Sequence, residues 1–200
     1  MLGLPKATEV HKQLPKKALY SKFQMSTKEK ESIDSDISRI TIVNELNTKT
    51  INIQEGKDVK SFFVLLVSLK KKNFDEKNII KLSKLIPQNL IIILEFEDEQ
   101  KIVVNYTKLI QSDWNKEEFN LDLKGLNLDE IWQNIIIQIG DIQLQEKNSL
   151  EEQIQQNEQR EKLLKEINKL EKMARAEKQP RKKFELVNKL KQLQKEMENL

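Results

Sequence analysis

Phe62-Phe63-Val64-Leu65-Leu66-Val67 is the stretch on which the fold turns. Six apolar residues in a row, rich in β-branched and aromatic types, are too short for a helix of ordinary length. They suit a central strand with both faces buried. Downstream, Asp75 stands where a helix N-cap is expected, followed by Ile79, Ile80, Leu82, Leu85 and Ile86 at helical spacing, and Pro87 ends that helix. Leu90–Phe96 reads as the next strand. Glu97-Asp98-Glu99-Gln100 is a polar turn, and Ile102–Tyr106 returns as the second arm of a hairpin. Upstream, Ile40 and Ile42 alternate with Thr41, Val43 and Glu45 as in a strand, and Ile51 and Ile53 repeat that alternation before a turn at Glu55-Gly56-Lys57.

Further out, two prolines punctuate the first segment. Pro5 fits a first helical turn with Ala7–Leu14 following, and Pro15 separates that helix from a second over Lys16–Phe23. Ser26 or Thr27 caps a third helix, with Glu29 and Glu31 near its positive end and Ile33 and Ile37 on one face. Leu121–Leu128 is a loop, and Asp129–Ile139 an apolar helix ended by Gly140. Beyond Leu144 the composition shifts to Glu, Gln, Lys and Leu. Leu163, Ile167, Leu170 and Ala174 form one heptad-like seam. Leu186, Leu190, Leu193, Met197 and Leu200 form another, with Gln179-Pro180 between them. Two seams joined by a short break make an antiparallel helical hairpin, whose stem over Leu150–Arg160 has few apolar positions and is expected to be solvated. The expected class is therefore α+β: a mostly antiparallel sheet flanked by helices over residues 1–142, followed by a C-terminal coiled-coil hairpin over residues 146–200 that projects from it.

Charge is uneven. The net value is only +3, yet residues 1–22 hold five lysines against one glutamate, and residues 169–195 hold ten cations against three glutamates. Lys172, Arg175, Lys178, Arg181, Lys182, Lys183 and Lys189 gather around the hairpin bend, and such a cluster neutralises phosphates in a salt-dependent, sequence-independent way. The run is read as lacking an interleaved aromatic, so stacking on single strands is not part of the expectation. The absence of cysteine excludes disulfides and thiolate chemistry and fits a reducing cytoplasm. The opening MLGLPKATEV lacks a secretory pattern, and no apolar run nears the ~20 residues that span a bilayer. No membrane partner, cofactor or small-molecule substrate is expected.

Val67-Ser68-Leu69-Lys70, followed by a helix and another strand, resembles the layout of PD-(D/E)xK nucleases, but Ser68 stands where a metal-binding carboxylate belongs, and a hydroxyl is a weak Mg²⁺ ligand. The acids at Glu95, Glu97, Asp98 and Glu99 lack the glycine spacing of a Ca²⁺ loop and read as a solvated hairpin tip. His11, the single histidine, reads as a surface helix residue. No phosphate-binding glycine loop and no GxSxG elbow is present. Trp132 reads as core, while Trp114 in a polar loop reads either as an interface anchor or as cover for the sheet edge. No catalytic or metal-binding residue is assigned.

The segments LPKATEVHKQLPKKALYSKF (4–23), DEKNIIKLSKLIPQNLIIILEFED (75–98), SDW (112–114), LDLKGLNLDEIWQNIIIQI (121–139) and EKQPRKKFELVNKLKQLQKEME (177–198) resemble bacterial domain-of-unknown-function family 4391 over nearly the whole chain. The resemblance implies a setting in which members tend to be encoded beside a superfamily-two helicase and a DNA methyltransferase in restriction-like, phage-defence clusters. The resemblance implies an accessory role by association and carries no established catalytic residues. The expected function is a non-enzymatic accessory subunit that docks a helicase or DNA methyltransferase through its α/β domain, with Trp114 as a candidate anchor. The hairpin would pair with a helical partner through Leu186, Leu190 and Leu193, or lay its basic tip on DNA. If the two hairpin helices satisfy each other, only the tip remains available. The rival readings are a divergent or degenerate PD-(D/E)xK-like nuclease and a homodimer held by the C-terminal helices.

Overall fold

A computed structural model describes residues 2–145 and 147–198. The chain divides into two compact units, residues 1–143 and 144–200. The first holds a six-stranded sheet in the order β1 (Glu9–Gln13), β2 (Ile37–Asn47), β3 (Ser61–Leu69), β4 (Asn89–Phe96), β5 (Glu99–Asn105), β6 (Leu109–Gln111). Every neighbouring pair is antiparallel except β3 and β4, which run parallel with Phe63 opposite Leu90 and Val67 opposite Leu94. A parallel pair needs a crossover, and α4 (Glu76–Leu85) supplies it, capped by the Asp75 carboxylate accepting from the Lys77 amide.

The quoted apolar run is the middle of β3, and its alternating residues face two different covers. Leu65, Val67 and Leu69 join Ile40, Ile92, Leu94 and Val103 in a core closed by Ile33 of α2 (Thr27–Asp36) and by Ile79 and Leu82 of α4. Tyr20 of α1 (Lys16–Lys22) packs at its margin. Phe62 points the other way and meets Trp132 of α5 (Leu128–Gly140), ring centroids 5.4 Å apart. Burial of each such aliphatic or aromatic side chain stabilises the fold by roughly 1.5–3 kcal/mol. Gly140 lies so close to Ile110 that a Cβ there would sit 2.8 Å from its methyl carbon, so the glycine is required by the approach of α5 to β6. The left-handed residue that ends α5 is Asp141, with φ of 45°.

Polar contacts fasten the helices to the sheet. Asp36, 1% exposed, sits where α2 runs into β2. Its carboxylate accepts from the Asp75 amide at 2.9 Å and the Asn78 side chain at 2.7 Å, and pairs with Lys71 at 2.8 Å, so it ties α2 to the start of α4. Burial opposes its ionisation, but Lys71, the Asp75 amide, Asn78 and Ser35 together hold its pKa below the usual carboxylate range. Lys70 also serves this joint, its ammonium donating to the Asp34 carbonyl at 2.6 Å near the negative end of α2. Ser26, not Thr27, is the α2 N-cap, in a reciprocal box with Glu29. Asp129 in the first turn of α5 accepts from the amides of Lys57 and Val59, which wraps the expected Glu55-Gly56-Lys57 turn around it.

Three local expectations are corrected. Ala7–Leu14 is not a helix: one 3-10 turn at Lys6–Thr8 leads into β1. A segment that short is a marginal helix by itself, and Pro15 biases Leu14 toward extended backbone. Pairing with β2 gives it a ladder instead, and Thr8, fully buried, accepts from Asn44 at 2.8 Å. His11 accordingly lies on a bulged edge strand, not a helix, with φ of 51°. Ile51 and Ile53 do not form a strand either. Asn47 accepts from the Lys49 and Thr50 amides and turns the chain into the single-turn α3 (Thr48–Ile51), so local capping overrides the period-two pattern. Strand β6, at three residues, is too short to leave a pattern.

The second unit is a helical hairpin of α6 (Leu150–Ala176) and α7 (Pro180–Glu198), packed on each other. Its stem departs from expectation, because Leu150, Gln153 and Ile154 are buried rather than solvated. The expected seam residue Leu200 lies outside the described residues.

Two measurements check these contacts. Asp36→Asn is expected to destabilise the protein by roughly 1–3 kcal/mol at pH 7. A depressed native pKa gives stability above the unfolded carboxylate value of about 4 that is lost as pH falls through the native one. The gap between wild type and variant in denaturant melts should therefore narrow in acid, and a gap constant from neutral pH into acid contradicts the assignment. In the hairpin, Ile167→Ala removes a 5%-exposed seam residue. A loss of about 2 kcal/mol, or roughly 30-fold in hydrogen-exchange protection of the α7 amides, is expected. Unchanged protection would mean the seam does not hold α7.

Candidate nucleic-acid interface

The hairpin is built by local signals at each end. Ser149 caps α6 through its hydroxyl and the Glu152 amide, with Glu152 bonded back to the Ser149 amide, and Glu151 and Glu152 face the positive end of the helix. At the other end Glu177-Lys178-Gln179 makes the bend. Pro180 is the first residue of α7, where its missing N–H costs no helical hydrogen bond. Ile167 and Leu170 of α6 and Leu193 of α7 form the buried seam, with Leu163, Leu186, Leu190 and Met197 packed against them. Ala174, 7% exposed, lets the helices approach near the bend. Lys189 reaches across to Glu166 at 3.0 Å, a surface pairing compatible with the register that the seam sets.

This geometry sorts the candidate residues. Leu186, Leu190 and Leu193 face the hairpin's own core, so the seam is satisfied internally and the tip is what remains for a ligand. Lys172, Arg175, Lys178, Arg181, Lys182, Lys183 and Lys189 are all exposed. Lys189 has the cross-helix role just given. Arg175 lies 3.6 Å from Glu171 and Arg181 3.7 Å from Glu185, one turn away on the same helix, and their side chains are 83% and 94% exposed. Such pairs contribute only about 0.3–0.5 kcal/mol and are readily exchanged for a phosphate. Among the described residues, Lys172, Lys178, Lys182 and Lys183 carry no ion pair.

The sequence places Arg181, Lys182 and Lys183 together in the first turn of α7, with no acid there to offset them. A helix start carries roughly half a positive charge, so three cations at that position repel both it and one another. The tip is thus not arranged for the stability of the free hairpin, and an anion would relieve it. A shallow groove of about 480 Å³ on the flank is lined by Lys165, Lys169 and Lys189 over Leu170 and Met173, with Glu166 the one acid there and paired to Lys189. The expectation of a basic tip without an aromatic is corrected by Phe184, which directly follows Lys183 and is 66% exposed. The signal was in the sequence: Phe184 falls outside the 186-190-193 seam and had no inward position to occupy.

The other candidates have structural partners. Trp114 is half-buried at the rim of the sheet core, edge-on to Phe74 at 6.5 Å, with the ammonium groups of Lys72 and Lys101 at 5.5 and 5.6 Å from its ring centre. Its ring therefore has cations of this chain close by. Ser68 donates to Glu95 on the parallel neighbour at 3.2 Å, and Lys70 is engaged at the end of α2. In the acidic turn, Asp98 pairs with Lys116 at 2.7 Å, which lowers its pKa, and Glu99 pairs with Lys72. Among the described residues no three His, Asp or Glu side chains converge as a metal site requires, and no helix is long and apolar enough to cross a membrane.

No curated protein and no solved structure is detectably similar. The profile described as Domain of unknown function (DUF4391) matches residues 2–197, from the start of the first unit to the last turns of α7, and on that coverage the chain belongs to the DUF4391 family.

Proposed function

We propose that this chain is a non-enzymatic interaction subunit that lays the cationic tip of its hairpin on nucleic-acid phosphates. Its α/β unit engages a protein partner, a helicase or DNA methyltransferase of a cytoplasmic restriction-like, phage-defence assembly. The observation that carries the nucleic-acid part is the cluster of Lys172, Lys178, Lys182 and Lys183, exposed and without ion pairs among the described residues, beside the loosely held Arg175 and Arg181. Other exposed lysines, such as Lys12 and Lys17, also lack ion pairs among the described residues, so it is the crowding of cations at one helix start that sets the tip apart. The partner assignment rests on the family resemblance alone. Neither part requires a reaction centre: Ser68, Glu95 and Lys70 are each engaged in contacts that hold the sheet and α2 together.

The nucleic-acid part is tested by anisotropy titrations with duplex DNA over a range of salt. Binding should weaken with salt, with a slope of about 0.9 per phosphate neutralised. Reversing charge at Lys178, Lys182 and Lys183 should weaken binding by tenfold or more and reduce the slope by about 2–3. Unchanged affinity and slope would remove the nucleic-acid part. The partner part is tested by recovering the tagged chain from its own host. A helicase or methyltransferase is expected among the co-purifying proteins, and repeated recovery without either counts against it.

A further inference from the structure

Phe184 occupies a position that helix packing does not explain. The seam of α7 advances through Leu186, Leu190, Leu193 and Met197. At about 100° per residue, Phe184 lies roughly 160° around the helix from Leu186, on the outer surface. It takes no part in the hairpin core and is 66% exposed, which leaves a large aromatic surface in water. Phe is also an indifferent helix former, so local propensity does not account for it. Arg181 precedes it by three residues and shares its face, its side chain 94% exposed. Lys182 and Lys183 adjoin it in the chain, both exposed and without ion pairs among the described residues.

An exposed aromatic one helical turn from an exposed arginine that is only loosely paired with Glu185, and next to lysines in the chain, matches one ligand chemistry. It is a phosphate-linked chain whose bases are free to leave their own stack. The cations hold the backbone, while Phe184 and Arg181 offer flat surfaces to a base. A fully paired duplex keeps its bases stacked inside and has no face to offer, except at an end or an unpaired site. We infer that Phe184 is a base-stacking residue and that the hairpin tip takes single-stranded nucleic acid, or unpaired bases at a junction, in preference to intact duplex. The inference rests on the nucleic-acid reading above and narrows it.

The test compares an oligodeoxythymidylate with a blunt duplex of the same length, at one salt concentration, using the full chain. Wild type should bind the single strand more tightly. Because Phe184 is exposed and outside the core, its substitution does not disturb the hairpin, and circular dichroism of each variant checks this. Phe184→Ala and Phe184→Leu should both weaken single-strand binding by about 5- to 150-fold and collapse the ratio of single-strand to duplex affinity, while Phe184→Trp should keep that ratio. Leucine is the decisive variant, since it retains apolar surface but has no π-face. Both strands bound with a ratio that Phe184→Ala leaves intact would overturn the stacking inference and leave the phosphate reading standing. Single-strand binding preserved in Phe184→Leu would likewise overturn it, as plain hydrophobic contact. Binding to neither oligonucleotide would overturn both readings, as would attachment to phosphatidylserine vesicles with neither oligonucleotide bound.

Discussion

The parallel pairing of β3 with β4 places Leu65, Val67, Ile92 and Leu94 on one face of the sheet and Phe62, Val64, Ile91 and Ile93 on the other, all without measurable exposure. A pair buried on both faces cannot exist as a hairpin in water. It needs a crossover and a cover for each side, and the rest of the first unit answers that requirement. α4 makes the connection and lies on one face with α2, while α5 closes part of the other through Trp132. The Asp36 joint follows from the same demand. Where α2 meets the start of α4, backbone and side-chain donors are removed from water, and a carboxylate there satisfies several at once.

Buried charge in the first unit and exposed charge at the hairpin tip are arranged differently. In the first, buried or half-buried charges are matched: Asp36 with Lys71, Asp34 with Lys16 and Tyr20, Asp129 with backbone amides. At the hairpin tip, cations crowd a helix start where one of the opposite sign would be more stable. An electrostatic arrangement that does not favour the isolated protein is informative because folding alone does not select it. That contrast, more than net charge, directs attention to the tip.

Long-period patterns were the most legible part of the chain. The apolar run of β3, the Asp75-capped α4, the β4–β5 hairpin and the two seams with their proline break each follow from spacing and punctuation, and the structure has them. What escaped was decided by partners distant in sequence. β1 is a strand because β2 offers it an edge, and nothing in Glu9–Gln13, exposed throughout, announces that. The Thr48–Ile51 turn was set by one asparagine side chain against an alternating pattern. In the site, the positions of the cations were legible but their pairing was not, since Lys189 and Glu166 are brought together only by the fold-back. Phe184 is legible in the sequence as an apolar residue off the seam spacing, while its exposure is a property of the folded hairpin.

The bulge at His11 bears on how copies of this protein behave at close quarters. β1 is one margin of the sheet, and its register slips between Glu9 and Lys12 as His11 adopts a left-handed conformation. A strand broken in that way, with charged side chains along it, is a poor template for another chain's backbone. The opposite margin, β6, offers only three residues. Both borders of a very apolar sheet are thereby blunted against strand-by-strand growth into fibres.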